Sequence, residues 1–227
     1  MNKSNGGFFS ARNITALAIL LALVIVMQTF GATINIGPVQ LNFTLVPIAL
    51  GAILLGKWSG AFLGFACGIV VMIQVIMGLV PFYTLIWTET PFWAALTCVV
   101  KTTVAGFLAG LVYKPIAKKN KLLAVFVSAA IVPVVNTALF IVGCLLMWEP
   151  ISSIAGGTNL LGFILVSLVT FNFFLELGVN LIVAPALHRV IKAIDKNGSY
   201  AGDLEKEQPE EDTKEEYIVI KEDDGEK

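Results

Sequence analysis

A few polar side chains interrupt the long apolar segments of this sequence, and they are its best candidates for chemistry. Lys101 and Glu176 are ionisable groups within such segments. An ionisable side chain in apolar surroundings is costly, so it usually marks a binding site or an internal ion pair. The amide side chains that accompany them are Gln28, Gln74, Asn136, Asn172 and Asn180.

The spacing of these groups places several of them at one depth. At 1.5 Å per residue, Lys101, Asn136 and Asn172 each lie about 15 to 18 Å from the same end of a helical bundle. Asn172, Glu176 and Asn180 are four residues apart, so they share one helix face. The sequence therefore predicts a polar level inside the bundle, to which three helices contribute.

Three interpretations of this polar level stay open. Lys101 could attract an anionic or carbonyl-bearing solute into a polar cavity, it could pair with Glu176 and hold two helices together, or it could extend to the membrane interface. The asparagines fit interhelical hydrogen bonding as well as ligand contact.

Enzyme chemistry is not expected from these residues. The single histidine, His188, is at the end of an apolar segment, so no nucleophile and base can be assembled around it. The three cysteines have no metal-site spacing, and we expect no metal and no cofactor. Nucleotide-binding glycine motifs are absent too, so the chain cannot power transport by itself.

The composition indicates which elements position the polar level. The 227 residues are 57% hydrophobic and only 14% charged, whereas soluble domains are about 25% charged. We therefore expect an all-α membrane protein, a six-transmembrane-helix bundle. The predicted helices are Asn13–Phe30, Phe43–Leu55, Gly60–Val80, Pro91–Tyr113, Leu122–Met147 and Leu160–Ile191.

The basic residues orient this bundle. Connections two and four and both ends of the predicted bundle carry Lys or Arg, as at Lys57 and Lys118, whereas connections one, three and five carry none. By the positive-inside rule, both termini are cytoplasmic. Residues 1–194 then form the transmembrane substrate-binding domain. Residues 195–227, which hold 13 of the 16 acidic residues, form a disordered cytoplasmic tail.

Two further features concern the bundle surfaces. The outer connections carry Asn42 and Trp87 among apolar residues, a mixture that fits a lid over a small amphipathic molecule as well as a plain loop. Glycines recur at four-residue spacing at Gly60, Gly64 and Gly68. Such stripes let helix backbones approach closely, so we expect internal packing there.

Together these features resemble the substrate-binding S-components of energy-coupling factor (ECF) vitamin transporters. The resemblance rests on the six helices, on the Ala18–Ala22 pair of the first helix, and on three stretches. These are LNFTLVPIALGAILLGKWSGAFLGFACG (41–68), PVVNTALFIVGCLL (133–146) and FNFFLELGVN (171–180).

The resemblance implies a protein of the bacterial cell membrane that binds one micronutrient tightly from outside. Its partners would be a membrane coupling protein and two ABC ATPases, with no nucleic acid involved, and Ala18 and Ala22 would dock the coupling protein. Pantothenate or riboflavin would be the substrate. The resemblance places Lys101, Asn136, Asn172 and Glu176 in or near the pocket. To these we add Gln74, Asn42 and Trp87 as candidate substrate-binding residues.

A different class of function fits the hydrophobic segments as well. An autonomous secondary carrier or channel for a small organic solute would need no ATPase. Its signature would be an inverted repeat or matched broken helices. Pro133 and Pro185 interrupt the last two segments, but the first three contain no matching pair.

Overall fold

A computed structural model describes residues 11–31, 35–36, 39–40, 42–156, 159 and 162–196. Helices account for nearly all of this part of the chain, with one two-residue antiparallel ladder. Of the predicted acidic tail, residues 195 and 196 belong to the last helix, which ends at Lys196, and residues 197–227 lie outside the described residues. The elements are α1 (Ala11–Gly31), β1 (Asn35–Ile36), β2 (Val39–Gln40), α2 (Leu45–Leu55), α3 (Lys57–Ile76), α4 (Pro81–Trp87), α5 (Pro91–Ala117), α6 (Lys121–Leu146), α7 (Trp148–Ile154), a π-helical stretch (Phe163–Val169) and α8 (Thr170–Lys196).

Five of the described helices are long and apolar enough to cross a membrane: α1, α3, α5, α6 and α8. Large apolar side chains point away from the bundle, such as Ile182 on α8, which is 79% exposed, and Phe30 on α1, which is 71% exposed. In a membrane protein these side chains face lipid rather than water. The prediction of an all-α membrane bundle is confirmed at this level.

The second predicted span is a half-length helix. Helix α2 has 11 residues, or about 16 Å, against a hydrocarbon core of about 30 Å. The Thr44 hydroxyl, just before α2, lies 3.4 Å from the Cys67 thiol. Because Cys67 is halfway along α3, α2 begins at the mid-depth of the bundle. Six full-length spanning helices are therefore not confirmed.

The helices on either side of α2 run in the same direction. Leu20 of α1 and Leu63 of α3 both lie beside Gly51, while Gln28 and Gln74, further along the same helices, are hydrogen-bonded at 3.1 Å. The chain must therefore return between α1 and α3. Six crossings with both termini cytoplasmic stay a prediction.

Glycines allow helices α3 and α5 to pack with their backbones close together. A Cβ at Gly68 would lie 2.6 Å from the Val99 Cα, and one at Gly64 would meet the Thr102 carbonyl group. No side chain fits in these places, so the expected internal packing of the glycine stripe is confirmed. A different glycine, Gly56, joins α2 to α3 with a φ of 94°, a conformation that favours glycine.

Two short helices occupy connections for which the sequence predicts loops. Helix α4 begins with Pro81 and carries Phe82, Tyr83 and Ile86 into the core. Helix α7 follows α6 after a single residue, Met147, which is fully buried. Thus α4 covers the bundle at one mouth with aromatic side chains, close to the polar level.

A candidate ligand-binding site around Lys101

Lys101 is buried on α5 and meets aromatic rings. Its side chain is 6% exposed. The Nζ atom lies 5.4 Å from the ring centroid of Tyr83 on α4 and 5.2 Å from that of Phe140 on α6. Both distances are within the range of cation–π attraction. The ammonium group is therefore clamped between two rings, and extension to the membrane interface is not what the structure shows.

Glu176 is held from the other side, by the chain that leads into α2. Its side chain is 7% exposed, and its Oε1 accepts a hydrogen bond of 3.1 Å from the Asn42 backbone N–H. Asn42 precedes the first residue of α2 by three positions. The carboxylate therefore lies near the positive end of the α2 helix dipole, which stabilises a negative charge.

Lys101 and Glu176 do not touch. Among the described residues, no carboxylate forms an ion pair with Lys101, although its charge acts on Glu176 at longer range. A direct Lys101–Glu176 pair that ties helices together is therefore absent from the structure. Two opposite charges face the same interior region and each keeps capacity for another partner.

Amide oxygens add to this unused capacity. The Oδ1 atoms of Asn42, Asn136 and Asn172 are buried without a hydrogen-bond partner among the described residues. Asn136 is one helical turn from Phe140, and Asn172 is one turn from Glu176, so each faces the same interior region. Because buried polar groups are nearly always satisfied, these orphaned atoms point to a bound molecule or water. We call Lys101, Glu176, Asn42, Asn136, Asn172, Tyr83 and Phe140 the Lys101 site.

Gln74 lies in a neighbouring network that is already satisfied. Its Nε2 donates to the Gln28 carbonyl group at 3.0 Å and its Oε1 accepts from the Gln28 amide at 3.1 Å. The Gln28 Oε1 in turn accepts from Thr44 at 3.1 Å. This network ties α1, α3 and the start of α2 together. It borders the Lys101 site through Cys67, which lies within electrostatic range of Lys101 and Glu176.

The remaining predicted residues occupy two places. Trp87 lies one turn after Tyr83 on α4 and is partly buried against the core. Ala18 and Ala22 are exposed on α1, on the side away from the buried Leu20 and Val24. An exposed pair of small residues on a bundle helix leaves room for another helix to approach closely.

Sequence reasoning missed the aromatic clamp and the thiols around it. Phe140 was not singled out, because an aromatic residue in an apolar helix carries no signal of its own. Cys67, Cys98 and Cys144 are buried on three different helices, α3, α5 and α6. All three lie within electrostatic range of Lys101, and the Tyr83 hydroxyl neighbours Cys98. Three small, weakly polar thiols thus lie in the same interior region as the ammonium group.

Comparison with known families places this geometry in context. A family model described as ECF transporter, substrate-specific component, matches residues 12–188, which include every residue of the Lys101 site. This match confirms the resemblance seen in the sequence. No curated protein matches the chain. The chain therefore belongs to the family of ECF transporter substrate-specific components: it is a multi-pass membrane subunit, not an enzyme, that gives substrate specificity to an importer whose separate membrane module contains ATPases.

Proposed function

We propose that this chain is the high-affinity receptor of an ECF-type importer for a vitamin or related micronutrient, with pantothenate or riboflavin as substrate. The Lys101 site binds the molecule from the outer side of a bacterial cell membrane. Trp87 on α4 lies over the site, and Gln74 supports it from the side. Both chain termini are cytoplasmic in this proposal.

One observation carries the proposal above all others. Lys101 is a buried cation without a carboxylate in contact, and the bundle also buries amide oxygens on α6 and α8 that have no partner in the described part of the chain. A structural core avoids such groups, because each unpaired buried polar atom costs about 1 to 3 kcal/mol. A polar ligand that satisfies them together explains why they are kept.

Energy for uptake comes from outside this chain. A membrane coupling protein docks on the exposed α1 surface that includes Ala18 and Ala22, and two ABC ATPases hydrolyse ATP below it. The exposure of both alanines and the peripheral position of α1 support this assignment. Of the five long helices, α1 is the least buried within the bundle.

Mass spectrometry of small molecules released from the purified chain tests this function directly. The chain is expressed in vitamin-rich medium, purified in mild detergent and denatured. We expect about one vitamin molecule per chain. A preparation that releases none and also fails to bind a panel of vitamins would refute the receptor function.

An autonomous carrier or channel is the second candidate, and one observation favours it. Helix α2 is a half-length helix that begins inside the bundle, and a π-helical stretch, Phe163–Val169, precedes α8. Discontinuous helices of this kind form the binding sites of many secondary transporters. Uptake into vesicles that contain only this chain would establish the carrier function, whereas uptake that needs the ATPase module would exclude it.

A further inference from the structure

We infer that the Lys101 site is built for one chemical class: a small molecule with a single carboxylate and, at its other end, neutral hydrogen-bond donors such as hydroxyl or amide N–H groups. This inference rests on the proposed function, because it takes the Lys101 site as the substrate site. The inference predicts which vitamins bind: acids with neutral donors should bind, whereas flavins and cationic vitamins should not.

The carboxylate end follows from the surroundings of Lys101. Its ammonium group lies over the faces of Tyr83 and Phe140, and no carboxylate of the described residues pairs with it. Two rings offset part of the cost of burying the charge, but they leave the N–H donors of the ammonium without strong acceptors. A ligand carboxylate supplies such acceptors, and charge-assisted hydrogen bonds of this kind are about twice as strong as neutral ones.

The balance of charge favours an anionic ligand over a cationic one. Lys101 supplies a positive charge, Glu176 supplies at most one negative charge, and the N-terminus of α2 adds about half a positive charge beside Glu176. The site therefore carries no net negative charge. It attracts an anion, and because the Asn42 N–H and the α2 dipole already stabilise Glu176, that carboxylate needs no cationic partner.

The donor end follows from the acceptors that stay free. Glu176 uses Oε1 for the Asn42 N–H, and the amide oxygens of Asn136 and Asn172 have no partner among the described residues. These acceptors lie on α6 and α8 within one helical turn of Phe140 or at Glu176. Three acceptors on two neighbouring helices call for a ligand with several donors, which hydroxyl and amide groups provide.

The test uses the full chain in detergent or lipid nanodiscs and isothermal titration calorimetry. Pantothenate and biotin combine one carboxylate with neutral donors, whereas riboflavin is uncharged and thiamine is cationic. We expect one of the two acids to bind most tightly. The primary-alcohol analogue of that acid, in which CH₂OH replaces the carboxylate, should bind about 10- to 100-fold more weakly.

Three variants test which residues produce the preference for the acid over the alcohol. Lys101→Met should reduce the acid-to-alcohol preference to less than about 3-fold, because the ammonium group distinguishes the two ligands. Glu176→Gln should weaken both ligands and keep the preference between them. Lys118→Met removes an exposed lysine near the end of the same helix and should change neither value. Since the comparison of acid and alcohol on the unchanged chain needs no variant, a Lys101 variant that fails to fold leaves the test intact.

The outcomes separate this inference from the proposed function. Tight binding of riboflavin or thiamine with no binding of either acid would overturn the inference and leave the receptor function standing. Equal binding of the acid and its alcohol would do the same. If no vitamin binds and none is released from the purified chain, both the inference and the function fail.

Discussion

The ammonium group of Lys101 rests on two aromatic rings, where a structural lysine would meet a carboxylate. An isolated charge loses several kcal/mol of effective solvation when it is buried. Cation–π attraction offsets about 2 kcal/mol or more of that loss in a desolvated place. The part of the solvation cost that the rings do not offset can be recovered when an anion binds to the ammonium group. The clamp formed by Tyr83 and Phe140 thus keeps Lys101 in position without neutralising it.

The two parts of the Tyr83 side chain contribute differently to this clamp. Tyr83→Phe keeps the ring and deletes a hydroxyl that has no conventional partner, so the thermal midpoint should change little. Tyr83→Leu removes the ring and should cost about 2 kcal/mol or more. Thermal unfolding of the purified chain, followed by tryptophan fluorescence, measures both. Equal midpoints for the Phe and Leu variants would show that the ring does not hold Lys101.

A structural role and a ligand-binding role for Gln74 predict different results. Both ends of its amide contact Gln28, so Gln74→Leu should lower stability by about 1 to 3 kcal/mol through the partner that it leaves unpaired. The double variant Gln28→Leu/Gln74→Leu should cost less than the two single changes added together. Thermal unfolding and ligand titration are measured side by side. Normal stability with weaker ligand binding would instead assign Gln74 to the ligand.

The sequence predicted the buried polar residues of the Lys101 site better than the aromatic ones. Lys101, Glu176 and the asparagines are conspicuous because lipid-exposed or core positions do not tolerate them. Burial of all of them agrees with that reasoning. The proximity of Tyr83 and Phe140 to Lys101 depends on how α4 folds over α5 and α6. Such a contact between elements distant in sequence leaves no mark on local periodicity.

Among the helices, the pair α3 and α5 depends most on missing side chains. Gly64→Ala would place a Cβ against the Thr102 carbonyl group, where the backbone cannot easily give way. We expect a loss of about 1 to 3 kcal/mol in stability from this overpacking. Gly178→Ala on α8 is the matched control, because a Cβ there meets nothing within 4 Å. The control should be neutral or slightly stabilising, since alanine favours helix.

Thermal unfolding of the two glycine variants, with the same detergent and protein concentration, measures the difference. An unchanged midpoint for Gly64→Ala would mean that α3 and α5 are further apart than the structure has them. Loss of stability in Gly178→Ala as well would indicate a general cost of substitution in these helices rather than a close contact.

Helix boundaries illustrate which physical signals a sequence carries. Hydropathy located α5 from Pro91 and α6 to within about two residues of its ends, because long apolar runs are unambiguous. It also located α2 to within two residues, but it did not show that α2 covers only about half the thickness of the hydrocarbon core. Helix α4, with seven residues, is too short to show a period. The depth of a helix in the membrane and the formation of very short helices depend on how the whole bundle packs, so hydropathy does not predict them.

At the scale of the whole molecule, the proposed function places binding and partner docking on separate surfaces. The Lys101 site lies among α4, α5, α6, α8 and the start of α2, whereas the exposed alanines lie on α1. Contacts of α1 run mainly to α2 and α3, so a partner can cover its outer face without touching α5, α6 or α8. This division predicts variants that keep one task and lose the other.

Ala18→Trp provides that separation. The bulky ring fills the space that lets a partner helix approach α1, so vitamin uptake in cells that carry the ATPase module should fall at least about tenfold, while the affinity of the purified chain stays within about twofold. Ile182→Trp adds the same ring to another lipid-facing helix and should spare both readouts. Normal uptake by Ala18→Trp would move the docking surface away from α1. Weaker binding by Ala18→Trp would mean instead that α1 is coupled to the Lys101 site through the network of Gln28 and Gln74.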